Sequence, residues 1–296
     1  MSAARRWAGR MTAGWKNARN RHGWLDHAVR ALVRYDQADG GRLSAALTYY
    51  AFFATFALAL LGFAILSRVL GNPAVLTEMQ RYLSDTFPRL DVQALRDAGG
   101  TAGLVACVAL PLTGLFWMDT LRSATRAIWR LEEYPGSFFL RQLIDLGIVA
   151  GLGVLLSLSL TVAFAAEWTL TWLAVHTMGV DATPTRWMLL VAAFVLRIAV
   201  NTLLAMALLT APPRLRLPLR RVIGPALVIT IGLELLKTLG QALLNLTAAN
   251  PAYQVVTGAV AMLLFLKVLN QLILFATALA ATSTTGEVTD LAARPD

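Results

Sequence analysis

Histidine and cysteine are scarce in this 296-residue chain, which has three of the first and one of the second. A lone Cys107 can form neither an internal disulfide nor a Cys-based zinc site. It lies in an apolar run and reads as a small packing residue. His22, His27 and His176 do not fall at metal-ligand spacing with carboxylates. There is no P-loop for nucleotide phosphates and no GxSxG nucleophile turn. Enzymatic chemistry, a metal site and a cofactor are therefore not expected. Charge is scarce too: Asp, Glu, Lys and Arg make up 15% of the chain, against about 25% in a soluble globular domain. Acidic residues are the scarcer sign, 17 against 26 basic ones.

Apolar residues fill the space. They make up 57% of the chain, and the mean hydropathy is +0.61. A membrane-spanning helix needs roughly 20 largely apolar residues. Three stretches carry no charge at all, between Arg42 and Arg68, between Asp97 and Asp119 and between Asp145 and Glu167, placing spans at about 43–66, 101–121 and 142–165. A fourth runs from Trp187 to Thr210, is interrupted only by Arg197, and ends at the Pro212-Pro213 pair. A fifth, Val222 to Leu244, contains Glu234 and Lys237, and a turn follows at Asn250-Pro251. A sixth, Val255 to Ala280, contains Lys267. The fold expected is an all-α polytopic membrane protein with six transmembrane helices, preceded by amphipathic N-terminal helices.

Basic residues orient such a protein, because Lys and Arg are retained on the cytoplasmic side. With six spans, eighteen Lys and Arg fall on the side of the two termini, five on the opposite side and three within spans. Both termini are thus expected in the cytoplasm. The same asymmetry accounts for the net charge of +9 without nucleic acid as a partner.

Residues 1–42 form a basic segment whose first apolar run begins only at Leu43, so a cleaved secretory signal is not expected. Within it, Trp24, Leu25, Ala28, Val29, Leu32 and Val33 recur at helical spacing, with Asp26, His27, Arg30 and Arg34 on the other side. That pattern suits a helix in the headgroup plane, its basic residues near anionic lipid; the other reading is a solvated basic tail. Trp7, Met11, Trp15 and Ala18 outline a second, weaker helix. The transmembrane domain covers 43–281. In the long connection at 67–100, Leu76 to Phe87 predicts a short helix, and the tail 282–296 reads as disordered. Gly99/Gly103 and Gly147/Gly151 form GxxxG pairs, which permit close helix approach, within the chain or in a homo-oligomer. Trp117, Trp129, Trp168, Trp172 and Trp187 sit where interfacial anchors belong. Asp119 and Asp145, near Arg122, Arg126 and Arg141, read as local salt bridging.

Charged residues within spans are costly unless paired or hydrated. Arg197, Glu234 and Lys267 each lie near the middle of a span. Lys237 shares a face with Glu234, at i and i+3. Thr238, Gln241 and Asn245 extend that stripe; Asn201 follows Arg197 at i+4; Asn270 and Gln271 cluster with Lys267. A stripe this long should face protein or water rather than lipid. The candidate site is therefore Arg197, Asn201, Glu234, Lys237, Gln241, Lys267, Asn270 and Gln271. Three cations face one carboxylate. One reading is a polar cavity between the fourth, fifth and sixth spans that admits an anionic headgroup. The other is a buried ion-pair network that fixes helix packing.

Several segments resemble the YihY/BrkB family of bacterial inner-membrane proteins. The run Leu43-Ser44-Ala45-Ala46-Leu47-Thr48-Tyr49-Tyr50-Ala51-Phe52-Phe53 is similar to the family's opening signature. Leu121 to Trp129 with Glu133-Tyr134, and Tyr253 through Gly258 to Leu279, resemble its later ones, so the likeness spans roughly 25–282. Ala54-Thr55-Phe56-Ala57 lacks a proline common in the family. Arg126 stands where an Asn is frequent, and Ala278 where a Glu is frequent. The resemblance implies six spans with cytoplasmic termini and a suspected role in exporting lipids or lipid-linked molecules. An older description of the family as ribonuclease BN finds no metal-ligand cluster here to support it. Expectation thus centres on a transporter or translocase of an amphipathic anion, with membrane lipids as partners. A membrane scaffold and a small-ion transporter are the alternatives.

Overall fold

The computed structural model describes residues 23–69, 92–176, 183–247 and 251–292. Among these, helices α1 (Gly23–Gln37), α2 (Gly40–Val69), α3 (Val92–Trp129), α4 (Phe138–His176), α5 (Thr183–Thr210), α6 (Leu219–Thr247) and α7 (Pro251–Thr282) follow in order. Two short strands, β1 (Leu215–Arg216) and β2 (Thr289–Asp290), pair antiparallel. Each of α2 to α7 contains a segment long and apolar enough to cross a membrane: Gly40–Gly62, Gly103–Trp129, Phe138–Leu158, Val191–Thr210, Leu219–Gly240 and Gly258–Thr282. These coincide with the six stretches expected from the sequence. The protein is an all-α, multi-pass membrane protein.

Local chemistry sets the helix ends. Asp39 takes a left-handed conformation (φ 54°) between α1 and α2, and its carbonyl receives the amides of Arg42 and Leu43. A Cβ on Gly40 would run into the ring of Tyr35, so the bend needs a residue without a side chain. At the end of α3, Arg130 (φ 59°) donates its amide to Ala127 and Leu131 donates to Arg126. That pair of bonds is the Schellman arrangement, which satisfies carbonyls the helix leaves free. Hydroxyls within the spans bond their own helix: Thr48 to Ser44, Thr202 to Ile198, Thr230 to Ala226 and Thr277 to Ile273. They need no water inside hydrocarbon.

The core lies towards one end of the bundle. Leu47, Leu121, Ile128, Leu209, Val222, Ile229, Leu274 and Ala278 are all buried and packed together, next to the loops 130–137 and 211–218 and the tail. That end is strongly basic. Elsewhere apolar side chains point outward, as lipid-facing surface must: Leu104 is 74% exposed and Val154 69%. Helices α2 and α3 pack antiparallel, with Tyr50 stacked on Phe116 (5.8 Å between centroids) and Gly103 against Ala64. Gly103 thus serves packing within the chain. Among the described residues, a Cβ added at Gly147 or Gly151 would meet no neighbouring element within 4 Å.

Helix α1 forms as expected, but it is not a free tail. It lies along α7 in the opposite sense. His27 bonds the carbonyl of Leu279 (2.9 Å), and just past its end the Gly41 carbonyl meets Lys267 (2.9 Å). The protein side of α1 is the His27, Ala31, Arg34, Tyr35 stripe, while Trp24, Leu32 and Val33 remain exposed. The tail differs from expectation. Residues 283–292 are ordered, not disordered, because β2 pairs with β1, Asp290 pairs with Arg126, and Arg221 donates to the Gly286 carbonyl. Trp129 lies beneath the Arg221 guanidinium (5.1 Å) and Trp117 packs on the core, so both serve the protein interior. The side chains of Cys107, Trp168, Trp172, Trp187, Gln241 and Asn245, the weaker helix near Trp7–Ala18 and the segment 76–87 are outside the described residues.

Candidate functional site

Two groups of charge stand out, and they differ in burial. The first lies within the spans of α5 and α6. Residues i and i+4 on α5 place Arg197 and Asn201 on one face, and i and i+3 on α6 do the same for Glu234 and Lys237. The faces meet at Glu234. Its carboxylate accepts from Asn201 Nδ2 (3.0 Å) and Lys237 Nζ (3.2 Å), and it pairs with Arg197 (3.5 Å). Thr202 and Thr230 join the same two helices nearby, with hydroxyls 3.2 Å apart. The Arg197 and Lys237 side chains are 46% and 45% exposed, against 21% for Glu234. The cations therefore open away from the helix contact while the carboxylate sits in it. The group carries one net positive charge.

Lys267 is not part of this cluster. It donates to the Gly41 carbonyl (2.9 Å) and Ser44 Oγ (3.2 Å) on α2. Asn270, 2% exposed, faces the same helix, donating to Thr48 (3.4 Å) and back to Leu266 (2.9 Å). Gln271 is partly buried on α7. The expected eight-residue site thus divides. Arg197, Asn201, Glu234 and Lys237 converge between α5 and α6; Lys267 and Asn270 fasten α7 to the start of α2. The excess of two cations expected between the fourth, fifth and sixth spans (α5–α7) from depth alone falls to one, because depth does not fix which face of α7 its lysine occupies.

The second group is at the basic end. Arg122 and Asp145 are both fully buried and paired. Arg122 also pairs with Asp119, and Arg214 reaches Asp145 Oδ1 at 2.9 Å. Arg126, 1% exposed, holds Asp290 through two bonds (2.8 and 3.0 Å) and donates to the Pro213 and Glu132 carbonyls. Arg221 caps the carbonyls of Ala280 and Ala281. Burial, then Arg126 and Arg141 nearby, pull Arg214 below its ordinary pKa. The expected salt bridging of Asp119 and Asp145 is present: Asp119, one-third exposed, meets its near neighbour Arg122, whereas Asp145 is fully buried and closed by Arg122 and Arg214, 23 and 69 positions away. Arg126 and Asp290 are separated by 164 positions. No local spacing signals such a pair. Among the described residues no group of three or more His, Cys, Asp or Glu side chains could hold a metal ion.

Known proteins resemble the chain over most of its length. It is 25% identical to the inner membrane protein YhjD of Escherichia coli (strain K12), over 72% of this chain and 67% of that protein. It is 26% identical to an uncharacterised protein of Dickeya dadantii (strain 3937), over 88% of this chain and 83% of that protein. No solved structure matches it. The Virulence factor BrkB family matches residues 31–295, and the chain belongs to that family.

Proposed function

We propose that this protein is an inner-membrane transporter or translocase of an amphipathic anion, such as a phospholipid or a lipid-linked molecule. The relative YhjD, named an inner membrane protein, supports the compartment, and the basic asymmetry of the loops supports cytoplasmic termini. The observation that carries the reading is the Arg197–Glu234–Lys237 group. A structural ion pair in a span should be closed on itself, since exposed charge in hydrocarbon is costly. Here two cations flank one carboxylate and each leaves nearly half its side chain open. A guanidinium and an ammonium on either side of a fixed carboxylate can take one more anionic oxygen group. Glu234 then balances the empty site, or accepts a proton if movement is proton-coupled. Energy would come from a gradient, a partner or simple equilibration.

The test is lipid translocation in proteoliposomes with fluorescent anionic and zwitterionic phospholipids. Wild type should move the anionic probe faster than empty liposomes do. Arg197→Ala and Lys237→Ala, checked for folding, should each lose at least about tenfold of that rate, equivalent to about 1.4 kcal/mol. Equal rates in wild type and both variants would refute the site. In that case the cluster is a packing network, a reading favoured by Glu234 serving three neighbours at once.

A further inference from the structure

Among the described residues, the Asp119–Arg122–Asp145–Arg214 network leaves one neighbouring cation, Arg141, without a carboxylate. Arg141 lies one turn into α4, at the start of its membrane-crossing segment. Its natural carboxylate is Asp145, one turn further on the same face. Both oxygens of Asp145 are taken, Oδ2 by Arg122 and Oδ1 by Arg214. Arg214 also occupies the backbone carbonyl of Arg141 (3.0 Å). Among the described residues the Arg141 guanidinium has no ion pair and no hydrogen-bond acceptor, and its Nε is buried without a partner. Asp119 pairs with Arg122, so three arginines share two carboxylates and the surplus charge is Arg141.

The surroundings hold that surplus charge in place. The guanidinium lies over the rings of Tyr134 (5.2 Å) and Phe138 (5.6 Å), an arrangement that orients a cation without neutralising it. Both rings are more than half exposed, and Phe139 (84%) and Leu143 (67%) project beside them. In a chain with six spans, an exposed apolar collar at the start of a span meets lipid, at headgroup depth.

We infer that Arg141 holds the phosphate of a bound phospholipid, with the Tyr134 and Phe138 rings as its platform and the acyl chains against the α4 surface. The site is separate from the Glu234 cluster and stands whether or not the protein moves lipid. Its chemistry is a phosphate diester facing a guanidinium that has donors free and a net charge to neutralise.

Native mass spectrometry of the full chain in detergent, titrated with phosphatidylglycerol, tests it. Arg141→Gln should weaken the first binding event at least tenfold; Arg141→Lys, which keeps the charge but not the fork, should fall between. Thermal stability of Arg141→Gln should be equal to or above wild type, since removing this charge relieves repulsion with Arg122 and Arg214. Wild-type lipid affinity in Arg141→Gln would overturn the inference. So would a clearly lowered melting temperature without loss of lipid, which would make Arg141 structural. Inorganic phosphate displacing the lipid at equal concentration would overturn the lipid assignment. Arg197→Gln should leave this binding intact; its loss there would place the lipid at the mid-span cluster, so the two sites fail separately.

Discussion

Replacing Asp145 with asparagine removes one charge and almost no volume, and two buried arginines feel it. Asp145 and Arg122 are both 0% exposed, and Arg214 is 12% exposed. The amide keeps the shape but cannot neutralise either guanidinium, and among the described residues Asp119, one-third exposed, remains as the carboxylate paired with Arg122. Breaking a buried pair by removing one partner destabilises by about 3–5 kcal/mol. At about 2–4 °C per kcal/mol for a chain of this size class, the melting temperature should fall by about 10 °C. Tryptophan fluorescence on heating in detergent, at fixed scan rate, reads this directly. The exposed Arg42–Asp39 pair, with side chains 80% and 67% accessible, supplies the contrast. Arg42→Gln should cost no more than about 1 kcal/mol. Adding Arg214→Gln to Asp145→Asn should cost less than the sum of the two single changes, because they share one interaction. An Asp145→Asn protein melting within about 2 °C of wild type would refute the assignment of these groups as a buried, mutually dependent network.

Other expectations follow from the same geometry. Asp290→Ala strands Arg126 with only carbonyl acceptors, and should destabilise by about 3 kcal/mol while making residues 283–292 sensitive to limited proteolysis. Lys267→Met removes the donor to Gly41 and Ser44 and should cost about 1–3 kcal/mol. It should leave anion movement within about twofold of wild type, unlike Arg197→Ala and Lys237→Ala. Gly103→Leu places a side chain where a Cβ already comes within 3.3 Å of Ala64, and should lower stability by about 1–3 kcal/mol. Gly147→Leu, with open space around it, should be neutral in the same melting assay.

The spans were legible because each apolar run is longer than a buried soluble helix needs; what the runs do not mark is the extent of α3 and α4, since α3 begins at Val92 and α4 continues to His176, well beyond the apolar stretches. The Arg197/Asn201 and Glu234/Lys237 pairs were legible as well, since helical spacing alone sets their faces. What spacing cannot supply is the rotation of one helix against another. Lys267 lies at similar distance along its span to Glu234, yet it turns towards α2. The ordered part of the tail was hidden for a related reason: the segment 282–296 is short and polar, and what holds residues 283–292 is Arg126, far away in sequence. Asp145 looked like an interfacial residue near the end of a span, because neither its burial nor its long-range partner Arg214 has a local signature.

Burial separates the two charge groups by role. At the basic end, Arg122, Arg126, Asp145 and the largest apolar side chains are buried together, and carboxylate or carbonyl acceptors meet most guanidinium donors. Apart from Arg141, charge on these buried groups is satisfied by the chain itself, which is what a fixed scaffold requires. In mid-span the ratio reverses: one carboxylate meets two cations whose ends remain open. If that openness faced hydrocarbon, both cations would be under pressure to snorkel to an interface, which works against the 3.5 Å pairing of Arg197 with Glu234. On the proposed reading, polar matter lies between α5 and α6 beyond the carboxylate, which accommodates both the pairing and the exposure. Water satisfies that condition, and so does an anionic group passing through it. On the same reading, the packed basic end supplies the support against which α5 and α6 present the proposed site, through Leu209, Val222 and Ile229 in the shared core.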